Sequence, residues 1–340
     1  MNTSSEEIDL DRRHLVGTAA VTAAAAKLGM FAAVAGLCSS IAPGHAQAPS
    51  EQQRNADIGF FEIDKDITLR RMVAHNPRPK GIVLFLHGFP ETVYAWKELS
   101  LALADDYEVH AFDWPGYGLS SRPTVDKFSY APRDYAHVLD QYIGKVGIDR
   151  SELTIYATDI GALPALLLAL EKPDIARTII VGDFAPFNRP RYMYESLQTL
   201  KAGGPSADQA RADLNKNRED ILENAFRRGL PKEAQFEVSR EFKDDMSRGW
   251  NQGAMTTADA FSHYYSHFTR DQDYFESQLP RLKTPVKVVW GQQDLYIKKE
   301  MGLEFAERIN AELTLLPGIG HYPHLQVPKH AIDEVRASFR

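Results

Sequence analysis

Hydrophobic and polar positions along this chain fall into two alternating patterns. Residues 81–86, Gly-Ile-Val-Leu-Phe-Leu, form an unbroken apolar run. Such a run marks a strand buried on both faces, because a half-exposed strand would alternate. Residues 108–112 are a second, more mixed strand candidate, and 153–156, 178–181, 286–290 and 313–316 read as further short strands. Between them the period changes. Val138, Leu139, Tyr142 and Ile143 recur at helical spacing within 134–146. Residues 162–170 are mostly alanine and leucine, strong helix formers, with Pro164 admissible in the first turn. Helical segments also follow the last two strands, near 299–309 and 328–339.

Strands alternating with helices predict an α/β fold with a mostly parallel sheet covered on both faces. The alternation lapses once. Residues 187–279 are more polar and charged, as in 216–220 and 243–248, and show helical spacing without a convincing strand. This segment is expected to be a helical cap inserted between two strands of one sheet. The core is then 57–186 together with 280–340.

Residues 1–48 read as a leader, outside the fold. They begin polar and acidic and pass through Arg12-Arg13 into an alanine-rich apolar run from Leu15 to Leu37. They end in Ala46-Gln47-Ala48, a small-x-small cleavage site. Paired arginines ahead of a weakly hydrophobic run predict a twin-arginine export signal, cleaved near Ala48, that delivers the chain to the periplasm or beyond. Lys27 interrupts the run, which argues against a stable membrane anchor, since a span needs roughly 20 apolar residues. Residues 49–56 are expected to be a flexible tail. Cys38 is the single cysteine and lies inside the leader, after Leu37 rather than the small residue of a lipid anchor. A mature chain without cysteine would exclude disulfides and a thiol nucleophile.

Composition adds little beyond exclusions. At 340 residues the chain can bury a sizeable core without metal or disulfide staples. A net charge of -7 argues mildly against nucleic acid as a partner, since phosphates need a basic face, and says nothing about a small neutral substrate. There is no HExxH, no His/Cys cluster and no GxGxxG loop, so neither a metal nor another cofactor is expected.

Three motifs carry chemistry. In Ala157-Thr158-Asp159-Ile160-Gly161, a β-branched strand gives way to a helix through a small-x-nucleophile-x-small turn. That is a nucleophile elbow, which lifts the central side chain above the sheet. The helix N-terminus behind it favours negative charge. The central residue is Asp159, where serine hydrolases carry serine; an aspartate there could also be a plain helix cap. His87-Gly88-Phe89-Pro90-Glu91-Thr92 follows a buried strand. In α/β-hydrolases the N–H after such a His-Gly pair and the N–H after the nucleophile form the oxyanion hole, here Phe89 and Ile160. Gly318-Ile319-Gly320-His321-Tyr322-Pro323 follows the last strand and offers His321 as general base, with His324 a weaker candidate. An acid must orient the base. Asp294, after the penultimate strand, is the first choice, and Asp183, after the strand following the nucleophile helix, is the alternative.

Residues 87–96, residues 113–121 (Asp-Trp-Pro-Gly-Tyr-Gly-Leu-Ser-Ser), the Asp159 elbow and the Gly320-His321 pair together resemble α/β-hydrolase-fold epoxide hydrolases, with Asp159-Ile160-Gly161 most similar to the Cif-type branch. The resemblance runs from about residue 57 to the C-terminus and is weakest in the cap. It implies that Asp159 attacks an apolar epoxide to form an ester, which water activated by His321 then hydrolyses to a diol. It also implies that a cap tyrosine, Tyr265 in His263-Tyr264-Tyr265, donates to the ring oxygen. His87, Pro90, Trp96 and Tyr264 are expected in the substrate pocket. A second donor is expected near 204–207, where the chain has Gly-Pro-Ser-Ala instead. Dehalogenases share this core, but the tryptophan or arginines that many carry beside the nucleophile are replaced here by Ile160, Gly161, Ala162 and Leu163. A dehalogenase, another α/β hydrolase, or a hydrolase-like binding protein without turnover are the alternatives.

Overall fold

A computed structural model of the chain describes residues 55–340. The expected leader and most of the expected tail lie outside the described residues. The elements run β1 (Asp57–Glu62), β2 (Thr68–Ala74), β3 (Ile82–Leu86), α1 (Lys97–Leu103), β4 (Glu108–Phe112), α2 (Pro132–Val146), β5 (Leu153–Thr158), α3 (Ala162–Glu171) and β6 (Thr178–Gly182). Then follow α4 (Glu195–Ala202), α5 (Gly204–Lys216), α6 (Arg218–Asn224), α7 (Arg240–Trp250), the short strands β7 (Asn251–Gln252) and β8 (Met255–Thr256), and α8 (Thr257–Ser277). The chain ends with β9 (Val286–Gly291), α9 (Lys299–Ile309), β10 (Leu313–Leu316), α10 (Pro323–Gln326) and α11 (Pro328–Ala337).

Eight strands form one sheet in the order β1-β2-β4-β3-β5-β6-β9-β10. The first two pairings are antiparallel and the rest parallel. The central strand β3 shows why its sequence is continuously apolar. Leu84 and Leu86 enter a core shared with Leu139 of α2 and Leu166 of α3. Val83 and Phe85 enter a second core on the other face, with Leu99 of α1 and Val335 of α11. Successive strand residues point to opposite faces, so a strand covered on both sides has no polar position to spare.

β1 and β2 have no counterpart in the hydrophobic pattern. β1 is an edge strand with almost every residue exposed, and β2 carries Arg70 and Arg71. Arg70 is nevertheless buried, and its charge is matched on the spot. Its Nε donates to Asp113 at 2.5 Å, and Nη1 and Nη2 donate to the two carboxylate oxygens of Asp245, each at 2.7 Å. Thr92 donates to the same Asp245 at 2.7 Å. Asp245 lies on α7, so one buried ion network joins β2, the loop after β4 and the segment inserted between β6 and β9.

That inserted segment folds into α4 to α8. The expectation of a strand-free segment is corrected by the β7–β8 pair, a two-residue antiparallel contact of Asn251–Gln252 with Met255–Thr256. It turns the chain into α8, whose start is fixed by a capping box: Asp259 N–H donates to Thr256 Oγ1 at 3.0 Å, and Thr256 N–H donates to Asp259 Oδ2 at 2.9 Å. Two residues on each side are too few to register as a strand. No helix among the described residues is long and apolar enough to cross a membrane.

Removing one member of a buried ion network strands the charge on its partner, which typically costs about 3–5 kcal/mol. Asp245→Ala is therefore expected to lower unfolding free energy by about 3 kcal/mol in urea titrations. A loss under roughly 1 kcal/mol would mean that Arg70 is not held by this contact.

Candidate active site

Two strand ends present the acids. β5 ends at Thr158, and Asp159 adopts a left-handed conformation with φ of 48°. A non-glycine residue there is uncommon and strained, and persists where its surroundings over-determine it. The turn needs small neighbours: a Cβ on Gly161 would stand 2.9 Å from the carbonyl oxygen of Leu86. The Asp159 side chain is 12% exposed. Its Oδ1 accepts the Phe89 N–H at 2.8 Å, and its Oδ2 lies 3.4 Å from Nε2 of His321. Ile160 is buried beside it and opens the turn into α3.

His321 faces a second acid on its other side. Its Nδ1 donates to Oδ2 of Asp294 at 2.8 Å. The other Asp294 oxygen accepts the N–H groups of Tyr296 at 2.8 Å and Ile297 at 3.0 Å, so the carboxylate is fixed by its own loop. The loops carrying Asp294 and His321 pass so closely that a Cβ on Gly291 would stand 1.9 Å from the Gly320 carbonyl oxygen. Burial opposes a charge on His321, but Asp294 and Asp159 together outweigh it and hold the imidazole well above its ordinary pKa. Asp183, at the end of β6, is also buried and lies against the same pair. Asp183, Asp294 and His321 bring potential ligand atoms within 4.8 Å of one another, which makes them the one metal-competent group found among the described residues.

The loop with the Phe89 N–H is held from behind. Gly88 N–H donates to Glu91 Oε2 at 2.7 Å, and Glu91 Oε1 bonds Nε2 of His324 at 2.6 Å, with both side chains fully buried. His324 is thereby removed as a candidate base. Tyr322, from the same segment, donates to the Phe89 carbonyl at 2.9 Å.

A cavity of about 740 Å³ opens above Asp159 and His321. Phe89, Phe261, Leu200, Leu214 and Ile221 line it, together with Tyr194, Tyr296 and Tyr322. Gln209, Asp213, Asn217 and Asp220 make its outer part polar. The four expected pocket residues lie elsewhere. His87 is fully buried, donates from Nδ1 to the Gly88 carbonyl at 2.7 Å and accepts the Trp114 N–H at 3.2 Å, so it shapes the loop; burial lowers its pKa and keeps it neutral. Pro90 is buried within that loop. Trp96 is stacked between Phe85 at 4.6 Å and His324 at 4.3 Å. Tyr264 is fully buried and donates to the Ile160 carbonyl at 3.1 Å.

Tyr265 is 2% exposed and packs between Phe261 at 4.7 Å and Phe268 at 4.9 Å. Burial pushes its hydroxyl pKa well up, and the charges of Asp159 and Asp294 add to that. Of 204–207, Pro205 and Ser206 reach the outer cavity. Tyr296, missed from sequence, stands edge-on to His321 with ring centroids 5.1 Å apart. Its hydroxyl makes a long bond of 3.3 Å to the Ala225 carbonyl, and burial pushes its pKa up to about 12. Its position two residues after Asp294 was the available signal.

A group whose folded pKa is raised contributes stability that is complete below its unfolded pKa and is lost as pH rises through the folded value. For His321 the ordinary value is 6.5. Wild type minus His321→Gln stability is therefore expected to be greatest below this value and to shrink as pH climbs, measured by urea unfolding across pH. A difference that grows with pH would contradict a charged, doubly paired His321.

Comparison with known proteins places this geometry in context. A family model described as alpha/beta hydrolase fold matches residues 81–328. Epoxide hydrolase 1 of Caenorhabditis elegans is 22% identical over 283 residues, 76% of this chain and 64% of that protein. An epoxide hydrolase of Caballeronia sordidicola is 33% identical over 149 residues, 38% of this chain and 42% of that protein. A fluoroacetate dehalogenase of a Burkholderia species is 29% identical over 137 residues, 40% of this chain and 41% of that protein. The match thus spans less than two thirds of the length of these curated relatives. Among solved structures, Cfl2 of Burkholderia cenocepacia aligns with a TM-score of 0.69 at 23% identity, covering 83% of this chain and 95% of that one. The epoxide hydrolase CorEH aligns with a TM-score of 0.68 at 19% identity, covering 84% and 99%. The haloalkane dehalogenase DbeA of Bradyrhizobium elkani gives 0.65 at 19%, covering 84% and 100%. With its family match, its eight-stranded sheet and an elbow at the end of β5, this chain belongs to the alpha/beta hydrolase fold family.

Proposed function

We propose that this protein hydrolyses epoxides to vicinal diols through an ester on Asp159. One observation carries the reading: a carboxylate stands at the elbow, 3.4 Å from a histidine whose other ring nitrogen bonds an acid at 2.8 Å. A carboxylate can attack an alkyl carbon and leave an ester for water to cleave.

In the first step an Asp159 oxygen bonds to an epoxide carbon as the carbon–oxygen ring bond breaks. The departing oxygen takes a proton from a tyrosine hydroxyl, which solvent restores. Tyr322 and Tyr264 are committed to the carbonyls of Phe89 and Ile160. Tyr265 is assigned as the donor. Tyr296 supplies the second hydrogen bond in place of the residue expected near 204–207, since its own contact is long. In the second step the ester has erased the Asp159 charge, one of the two that hold a proton on His321. The imidazole gives that proton up to solvent and then takes one from water, which attacks the ester carbonyl. The oxyanion falls beside the N–H groups of Phe89 and Ile160. Collapse breaks the bond to the alkyl oxygen, His321 returns a proton to that oxygen of the diol, and the carboxylic acid left on Asp159 passes its proton to the imidazole, restoring the resting pair.

The departing group separates this reading from a dehalogenase. An alkoxide needs a proton, whereas a halide needs only N–H donors. Three tyrosines and no tryptophan appear on the described cavity wall.

Wild type is expected to form diol from a panel of apolar epoxides. His321→Gln should lower turnover on the order of a thousandfold and accumulate an adduct of substrate mass on intact protein, while Asp159→Asn should show neither product nor adduct. Tyr265→Phe should slow adduct formation on the order of a hundredfold. Halide release from haloalkanes without diol from any epoxide would replace this reading with the dehalogenase one. Ligand binding without either product would replace it with a non-catalytic role.

A further inference from the structure

Both positions that can orient a base in this fold carry an acid here, and both acids are inside. Asp183 and Asp294 are 1% and 6% exposed, and the histidine between them and Asp159 is 6% exposed. Among the described residues, no lysine or arginine bonds either acid. Asp294 is well supplied with donors, two backbone N–H groups on Oδ1 and His321 on Oδ2, and Oδ2 keeps a lone pair for one more. Asp183 does not. Its Oδ1 accepts the Gly291 N–H at 2.9 Å, while its Oδ2 is buried and receives no N–H or hydroxyl. The carboxyl atoms of the two acids and a ring nitrogen of His321 lie within 4.8 Å of one another. Two adjacent carboxylates cannot both ionise cheaply away from water.

We propose that Asp183 is a positioning residue held as a neutral carboxylic acid, whose Oδ2–H donates to Asp294 and keeps that single carboxylate aimed at His321. One proton resolves both anomalies, because it gives the empty Oδ2 a bond to make and removes the like-charge repulsion. Burial and then the Asp294 charge push the Asp183 carboxyl well above the usual carboxylate range, and His321 acts in the opposite direction. The groups facing it are Asp294, His321 and the Tyr156 phenol, with Asp159 beyond the imidazole. Asp183 also has a φ of 52°, a conformation that asparagine tolerates far better than branched residues do. Asparagine can still accept the Gly291 N–H and donate an N–H to Asp294. Asp183→Asn therefore imitates the neutral acid without disturbing the backbone. The catalytic part of this proposal rests on His321 acting as the base; the protonation part does not.

The direct test is infrared difference spectroscopy of wild type against Asp183→Asn near neutral pH. The expected result is a carbonyl band of a protonated carboxylic acid in wild type, moving in heavy water and absent from the variant. A wild-type spectrum without that band overturns the proposal. Stability gives a second readout. Ionising an acid whose folded pKa is raised opposes folding, so the variant should gain on wild type as pH rises out of the ordinary carboxylate range. A pH-independent gap counts against it. In turnover, Asp183→Ala should lose about tenfold in kcat with little change in KM, and Asp183→Asn should recover most of that loss. Equal losses in the two variants would reduce Asp183 to a packing role. If the band is present and no epoxide is hydrolysed, the neutral acid stands and the epoxide reading fails; if diol forms without the band, the reverse holds.

Discussion

The imidazole of His321 sits, itself buried, between the Asp159 and Asp294 carboxylates, and the rest of the site is arranged so that this can be stable. A buried charge is costly unless it is paired and hydrogen-bonded. His321 meets that condition only because Asp294 is 2.8 Å from one nitrogen and Asp159 3.4 Å from the other. Neither distance tolerates slack. The left-handed turns at Asp159 and Asp183 place acids at two neighbouring strand ends, and the absent side chain at Gly291 lets the base loop lie against the acid loop. Strain in those turns is held by the rigid sheet below.

The same logic extends outward. The loop carrying the Phe89 N–H is backed by a buried Glu91–His324 pair, and the inserted helices are tied to the core by Arg70, Asp113 and Asp245. Buried ion pairs are weak evidence for stability, since apolar residues of similar volume often do as well. Their value here is geometric. The Asp159–Phe89 contact and the cavity above it depend on where a loop and a cap come to rest, and directional bonds fix that more narrowly than oily contact does. The cavity lining is mixed, with apolar side chains such as Phe89 and Leu200 beside exposed polar ones such as Gln209 and Asn217.

How much of this could be read beforehand follows from what sequence pattern encodes. Strand β3, helix α3 and the elbow were legible because burial on both faces leaves an unbroken apolar signature and a tight turn demands small residues. Asp159, His321 and Asp294 were legible because a strand end, a motif and a fixed order mark them. β1 and β2 were not, since an exposed edge and a buried arginine each break the pattern, and the partners of Arg70 lie 43 and 175 residues away. The pocket failed for a related reason. Trp96 and His87 are near the motif in sequence, yet their side chains turn into the core, while Leu214 and Ile221 come from helices whose packing no local signal records. Tyr296 became visible only once the Asp294 loop was folded beside His321.

The central claim is that the oxygen delivered to substrate comes first from Asp159 and only afterwards from water. Single-turnover reaction in heavy-oxygen water, with enzyme in excess over epoxide, tests it most directly. The account predicts that the diol of the first turnover carries no label and that the label is found in the Asp159 carboxylate by peptide mass analysis. Label in the diol from the first turnover, with Asp159 unlabelled, would mean that water attacks the substrate itself and would contradict the account.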